Sequence, residues 1–342
     1  MATDRFAATF PLVDEASDGT NSWERTMTDT KTIAVIGATG AQGGGLARAI
    51  LADPEGGFSA RAITRNPSSD AAKALAEAGA EVVQAELDDV ASLTAAFAGC
   101  HGAFCLTNFW EHFSPEKEMA QAKNLAEAAK AAGVQHAVWS TLEDVREFVP
   151  LDDDRMPTLM EHYKVPHLDA KGASDRFFTD AGVPTTFLLT SFYWDNLLYF
   201  GMEPQRGEDG KLVFAVPMGE AKLSGIAAED IGKCVYGVFK AGDAYVGKTV
   251  GIAGEYLTGQ EMAAGLTTAL GEDVTYYPMP FADYRALGFP GADDLGNMFQ
   301  FFHDFSDDFM GRRDVDFSRS LNPELLTFAA WLKKHGDRIP RK

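Results

Sequence analysis

The stretch "IAVIGATGAQGGGLARAI", Ile33 to Ile50, packs five glycines between a short apolar run and a helical pattern. No other segment restricts the fold as much. An apolar β-branched run that turns at once into a helix reads as a buried parallel strand, a tight loop and a crossover helix. Gly37, Gly40 and Gly43 form G-x-x-G-x-x-G at that junction. Glycine at 37 permits the turn, at 40 it lets backbone N–H groups approach a phosphate, and at 43 it lets the helix pack close on the strand. In a strand–loop–helix setting this spacing reads as a dinucleotide cradle. Gly44 and Gly45 read as close packing rather than ligand contacts.

The rest of the chain repeats the alternation. "ARAITR", "EVVQAEL", "GAFCLTN", "HAVWST" and "TTFLLTSF" read as further strands. "SSDAAKALAEAGA" opens on a capping serine and closes at Gly79, and "SPEKEMAQAKNLAEAAKAAGV" has proline near its start and glycine past its end. Both are punctuated as helices. The second half is less regular: one more helix, "AAEDIGKCVYGVFKAG", one more strand, "GKTVGIAG", then "TGQEMAAGLTTALG", an aromatic-rich stretch and a terminal helical pattern, "NPELLTFAAWLKKHG". The fold class expected is α/β, a Rossmann-type doubly wound parallel sheet with a smaller C-terminal α/β lobe over the sheet's carboxyl edge, where ligands of such sheets bind. The boundaries expected are a tail at 1–30, a dinucleotide-binding Rossmann domain at 31–190 and a lobe at 191–342 with interleaved sheet elements. Residues 1–30 are polar, acidic and aperiodic, so they read as a mobile tail, and Met27 is an alternative start.

Composition excludes several classes. A formal charge of -20 and the lack of a dense Lys/Arg patch oppose a nucleic-acid or anionic-lipid surface. Cys100, Cys105 and Cys234 have no metal spacing and no even disulfide set, which points to a reducing compartment. His162 and His167 lack neighbouring Cys or carboxylate partners, so no metal site is expected. With no membrane-length apolar run and no signal-peptide pattern, the expectation is a cytoplasmic protein.

An NAD binder usually ends its second strand with an acidic residue for the ribose hydroxyls, whereas arginine there suits a 2′-phosphate. This strand ends "AITRNP", so Arg65 favours NADP(H).

The segments "GATGAQGG", "TRNP", "AEVVQAELDD", "LTNFWE", "DAKG", "FYWDNLL" and "LGFPGADDLGNMF" together resemble the NmrA-like family of atypical short-chain dehydrogenases, and within it an NADPH-sensing branch. The resemblance runs from about Thr32 to the C-terminal helix. It implies NADP contacts from Gly37, Ala38, Thr39, Gly40, Ala41 and Gln42, and from Arg65 and Asn66. It also implies contacts from Glu86, Leu87, Thr107, Asn108, Phe109 and Lys171, and from Tyr193, Trp194, Asp195 and Asn196. "RNPSS" replaces a more cationic continuation in the family, and a family lysine falls on Ala120.

A working short-chain dehydrogenase carries Tyr-x-x-x-Lys on a helix, the lysine lowering the tyrosine pKa so that the phenol can pass a proton. Here "HLDAK" puts His167 four residues before Lys171, and Tyr163 lies across Pro166. His167 reads three ways: packing, a substitute proton donor, or a cofactor contact without chemistry. Ser140 and Thr141 end a strand where such enzymes keep a substrate-orienting hydroxyl. Phe109, Trp110, Phe113, Phe192, Tyr193 and Trp194 read either as an apolar pocket wall or as core between sheet and lobe. Two functions follow. One is a cofactor-responsive regulator without efficient catalysis, acting through a protein partner and without direct nucleic-acid or membrane contact. The other is an NADPH-dependent reductase that relies on Lys171. A homodimer is compatible with both.

Overall fold

A computed structural model of the chain describes residues 30–199 and 201–341. The tail expected at 1–30 lies, apart from Thr30, outside the described residues. Seven parallel strands form the main sheet: β1 (Lys31–Ile36), β2 (Phe58–Thr64), β3 (Glu81–Gln84), β4 (Gly102–Cys105), β5 (His136–Thr141), β6 (Thr185–Leu189) and a later strand, β11 (Thr249–Gly251). Their order is β11-β6-β5-β4-β1-β2-β3. β1 and β4 are neighbours, and the chain winds outward from them in both directions, which makes the carboxyl ends of these two strands the topological switch point.

The strands are apolar on both faces because helices cover both. One face carries α1 (Ala41–Leu51) and α7 (Ala228–Lys240); the other carries α3 (Val90–Phe97), α4 (Pro115–Ala131) and α5 (Pro166–Asp180). A Cβ on Gly45 of α1 would lie 2.5 Å from the Glu229 carbonyl oxygen of α7, so Gly45 serves close helix packing, as the sequence suggests. α2 (Asp70–Glu77) is capped by Ser69, whose side chain accepts from the Ala72 N–H. α4 is capped by Ser114 with proline in its first turn.

After β6 the chain builds the lobe while returning α7 and β11 to the sheet. One small sheet joins β7 (Phe192–Tyr193), β10 (Lys222–Ile226) and β12 (Glu255–Thr258). Another joins β8 (Gln205–Arg206), β9 (Leu212–Ala215) and β13 (Val274–Tyr277). Around them pack α6 (Asn196–Tyr199), α8 (Gly259–Leu270), α9 (Phe281–Arg285), α10 (Ala292–Asp304), α11 (Ser306–Gly311), α12 (Val315–Leu321) and α13 (Phe328–His335). The aromatic-rich stretch becomes α10 and α11, whose Phe299, Phe301, Phe302 and Phe309 fill the lobe core. The lobe is fixed to the sheet edge by a buried fork. Arg313 donates to both oxygens of Glu143, just past β5, at 2.6 and 2.8 Å, and to the Thr190 carbonyl past β6 at 2.8 Å. No described helix is long and apolar enough to cross a membrane.

Candidate functional site

At the end of β1 the chain turns through Gly37, whose φ of +60° is a conformation that L side chains rarely adopt. Helix α1 then starts so close to the strand that a Cβ on Gly43 would lie 2.5 Å from both the Ile36 and Gly37 carbonyl oxygens. The N-cap Gly40 offers no side-chain cap, and the first turn of α1 holds no acidic residue. The first N–H groups of this helix therefore have neither an intrahelical acceptor nor a side-chain one, and they open onto the switch point. That donor set fits a pyrophosphate. Ala38 is buried, while Thr39, Gly40 and Ala41 are exposed along the loop.

Gln42 ties this loop to the far strands. Its amide donates to the Tyr193 hydroxyl at 2.6 Å, and its side-chain oxygen accepts from the Ser140 hydroxyl at 2.9 Å. Burial pushes the Tyr193 phenol up to about 12, so it stays a neutral hydrogen-bonding group. Tyr193 ends β7, and Trp194 follows in the turn that leads to α6. Trp194 is enclosed in the lobe against Phe328 and Trp331, with 1% of its surface exposed. Asp195 accepts from the Ala228 N–H at the start of α7, and Asn196 opens α6. The side chains of Trp194 and Asp195 are thus committed to the lobe and to α7 rather than to the crevice.

On the β2 side of the glycine loop, Arg65 extends from the strand end. The outer edge of its guanidinium is taken: Nη1 and Nη2 donate to the two Glu111 oxygens at 2.7 and 2.9 Å. Glu111 lies in a single turn, Phe109–Glu111, after β4, and Asn108 donates to it at 3.1 Å. Since β1 lies between β2 and β4 in the sheet, this ion pair joins the two strand ends that flank the glycine loop. Asn66 is exposed and its side chain accepts from Ser68. Past β3, Glu86 is exposed, with its N–H donating to Ser92, and the Leu87 carbonyl accepts from Asn124.

On the opposite side, Lys171 reaches from α5 to the end of β4. Its ammonium donates to the Thr107 hydroxyl at 2.8 Å, to the Thr107 carbonyl at 3.1 Å and lies 2.8 Å from Glu118 Oε1. It also lies over the Trp139 ring at 5.4 Å. Three contacts use its three N–H groups. Glu118 of α4 is wholly buried, and its Oε1 also accepts from the Thr107 hydroxyl at 2.6 Å. Its Oε2 faces His112 Nε2 at 3.4 Å, and neither atom has another hydrogen-bond partner among the described residues. The Ser114 N–H donates to His112 Nδ1 at 3.1 Å, so the neutral ring carries its proton on Nε2, toward Glu118.

His167 lies in the first turn of α5, 6% exposed. Its Nδ1 is 2.6 Å from Asp294 Oδ1 of α10, and its ring packs on Trp110 with centroids 4.8 Å apart. Tyr163 is turned elsewhere: its hydroxyl donates to Glu116 at 3.2 Å, and Arg146 lies over its ring. The aromatic set splits in two. Phe109, Trp110 and Phe113 cluster beside His167, whereas Phe192 packs on Phe299 within the lobe. Among the described residues no group of three or more His, Cys, Asp or Glu could hold a metal, and Cys100, Cys105 and Cys234 are buried free thiols.

The structure therefore brings the glycine loop, Arg65, Thr107–Phe109, Lys171 and Tyr193 to one crevice, and adds four residues that sequence reasoning did not single out: Glu111, His112, Glu118 and Asp294. Glu111 and Asp294 stand inside the segments "LTNFWE" and "GADDLGNMF", which served there as recognition marks only. The same segment explains its own composition: Asn297 donates to the carbonyls of Pro157 and Lys164, stitching the loop before α5 to α10.

Known proteins share this architecture. FrzB of Cladobotryum sp, an NmrA-like family domain-containing oxidoreductase, is 30% identical over 283 residues, spanning 79% of this chain and 83% of FrzB. Crystal structures of NmrA, a negative transcriptional regulator, superpose on 90% of this chain and 95% of theirs at 25% identity. The complex with NAD gives a TM-score of 0.72 and the complex with NADP 0.71. The NmrA-like family pattern matches residues 29–332, almost the whole described structure including the lobe, and on that extent the chain belongs to the NmrA-like family.

Proposed function

We propose that this chain binds NADP(H) across its switch point and acts as a cofactor-responsive regulator. One observation carries the reading. The two cations expected to hold the cofactor, Arg65 and Lys171, are both engaged by carboxylates of a single segment, through Glu111 and Glu118. That segment also carries Trp110, which packs on His167 and lies against Gly291 at the start of α10, where a Cβ would meet the indole at 3.0 Å. A dinucleotide that recruits Arg65 exchanges its contact with Glu111 and shifts the segment against the lobe, while the buried Lys171–Glu118 pair stays as the fixed anchor. A ligand moves such an equilibrium only through differential affinity, and the exposed ion pair supplies the difference. Complexes of NmrA with NAD and with NADP support a nicotinamide dinucleotide as the ligand.

The second reading, an NADPH-dependent reductase, is favoured by the His167–Asp294 pair and by the naming of relatives such as FrzB as oxidoreductases. A bound reduced nicotinamide supplies a hydride. His167, with Nδ1 held by Asp294, would supply the proton from Nε2.

One experiment separates the two. Hydrogen exchange with and without NADPH should show protection at 107–118 and 190–199, while ketones, aldehydes and quinones leave NADPH oxidation at background. Brisk oxidation that falls by about two orders of magnitude in His167→Ala would promote the reductase.

A further inference from the structure

We infer that Glu111 is a specificity-determining residue, a built-in competitor for the cofactor's 2′-phosphate and a hydrogen-bond acceptor for the 2′-hydroxyl when that phosphate is absent. The inference rests on the dinucleotide-binding reading above and goes beyond it by assigning the choice between NADP(H) and NAD(H) to a pair rather than to Arg65 alone. Arg65 stands where a 2′-phosphate would be received. A phosphate takes a guanidinium by two parallel N–H···O bonds, and in this structure Glu111 already holds both, at 2.7 and 2.9 Å. The carboxylate thus occupies the Nη1–Nη2 edge of Arg65, one of the two edges a phosphate can take. A phosphate seated there would also meet a like charge unless Glu111 withdrew.

NAD(H) places a hydroxyl in that position. A carboxylate accepts from such a hydroxyl, as the acidic residue of an NAD binder does from the end of the second strand. Here the carboxylate arrives from a different element, the turn after β4, and Asn108 holds it in place. The strand-end residue alone reads as an NADP mark; the pair reads as a site that accepts both cofactors, with the preference for NADP(H) reduced.

The exchange is inexpensive because the pair is open to water, with side chains 63% and 45% exposed. Exposed pairs of this kind are broken at little cost, which corresponds to about a two- to fivefold change in affinity, and relief of carboxylate–phosphate repulsion adds to it. Titration calorimetry of NADPH and NADH into the full chain tests the assignment. In Glu111→Gln, NADPH should bind about three- to tenfold more tightly and NADH about two- to fivefold more weakly. In an Arg65→Ala background the same substitution should raise NADPH affinity by less than about threefold, because the contested guanidinium is gone and only relief of the carboxylate–phosphate repulsion remains. Equal changes for both cofactors, or an undiminished NADPH gain without Arg65, would overturn the assignment. A wild-type chain that binds neither cofactor would instead overturn the dinucleotide reading itself.

Discussion

The two ends of the crevice hold their cations in opposite ways. At the end of β2, Arg65 and Glu111 meet in water, with side chains 63% and 45% exposed. At the other end, Lys171 and Glu118 are 12% and 0% exposed, and Thr107 and His112 complete the shell. An exposed pair can be exchanged for a ligand at small cost, whereas a buried pair costs several kcal/mol to open because one ion is left without solvent or partner. The contacts of Arg65 are therefore exchangeable, while those of Lys171 are set by folding.

The sharpest way to break this contrast is Lys171→Met. It leaves the Glu118 carboxylate buried with only neutral donors, and loss of one partner of a buried pair costs about 3–5 kcal/mol. Chemical denaturation should show a loss in that range. Adding Glu118→Gln, which removes the stranded charge, should recover a large part of it. A loss under about 1 kcal/mol in the single variant would mean that water reaches Glu118 and that the two ends do not differ.

A smaller effect sharpens the comparison from behind the same end. Asp175 lies one turn past Lys171 on α5, and its Oδ1 accepts from Trp139 Nε1 and the Thr141 hydroxyl at 2.9 and 2.6 Å. Burial raises this carboxyl from an ordinary value near 3.8 to about 7. Between those pH values the folded state holds a proton that the unfolded chain has released, so this group's contribution to stability falls as pH rises. Asp175→Asn keeps the acceptor and removes the titration. The variant should match wild type near pH 4 and exceed it by about 1–3 kcal/mol at pH 8. A difference that is the same at both pH values would show that Asp175 does not titrate in this range.

Sequence showed one end of the site far better than its partners. The glycine loop is legible because backbone geometry demands glycine at Gly37 and Gly43, and no side chain can substitute. Arg65 is read from its place at a strand end, and Lys171 from the resemblance of its segment "DAKG" to the family. Their counter-ions are not, since Glu111 and Glu118 are two among 50 acidic residues. Glu111 is 46 positions from Arg65, and Asp294 is 127 from His167. Such pairs exist only once β4 lies beside β1 and α10 caps α5. Reading by adjacency fails at the end of β7: Tyr193 bonds Gln42, and the next residue, Trp194, in the turn that follows, packs in the lobe. The seventh strand, β11, read as "GKTVGIAG", joins the main sheet by pairing with β6, which local pattern does not specify.

The smallest expected effect tests the exposed end by itself. In a double-mutant cycle on stability, Arg65→Ala and Glu111→Ala should show a coupling of about 0.2–1 kcal/mol at low salt. Raising the salt to about 1 M shortens the Debye length from about 10 Å at 0.1 M to about 3 Å, so the coupling should shrink toward zero. High salt will also stabilise a chain of net charge -20 as a whole by screening its self-repulsion. The cycle cancels that general term, because it enters each single substitution and the double one additively. The same cycle on Lys171 and Glu118 should keep its coupling at high salt, since a buried pair is little screened. If both couplings faded together, Lys171 and Glu118 would be as open to water as Arg65 and Glu111. If neither did, Glu111 would be held too firmly to yield Arg65 to a phosphate, and its part in cofactor choice would be lost.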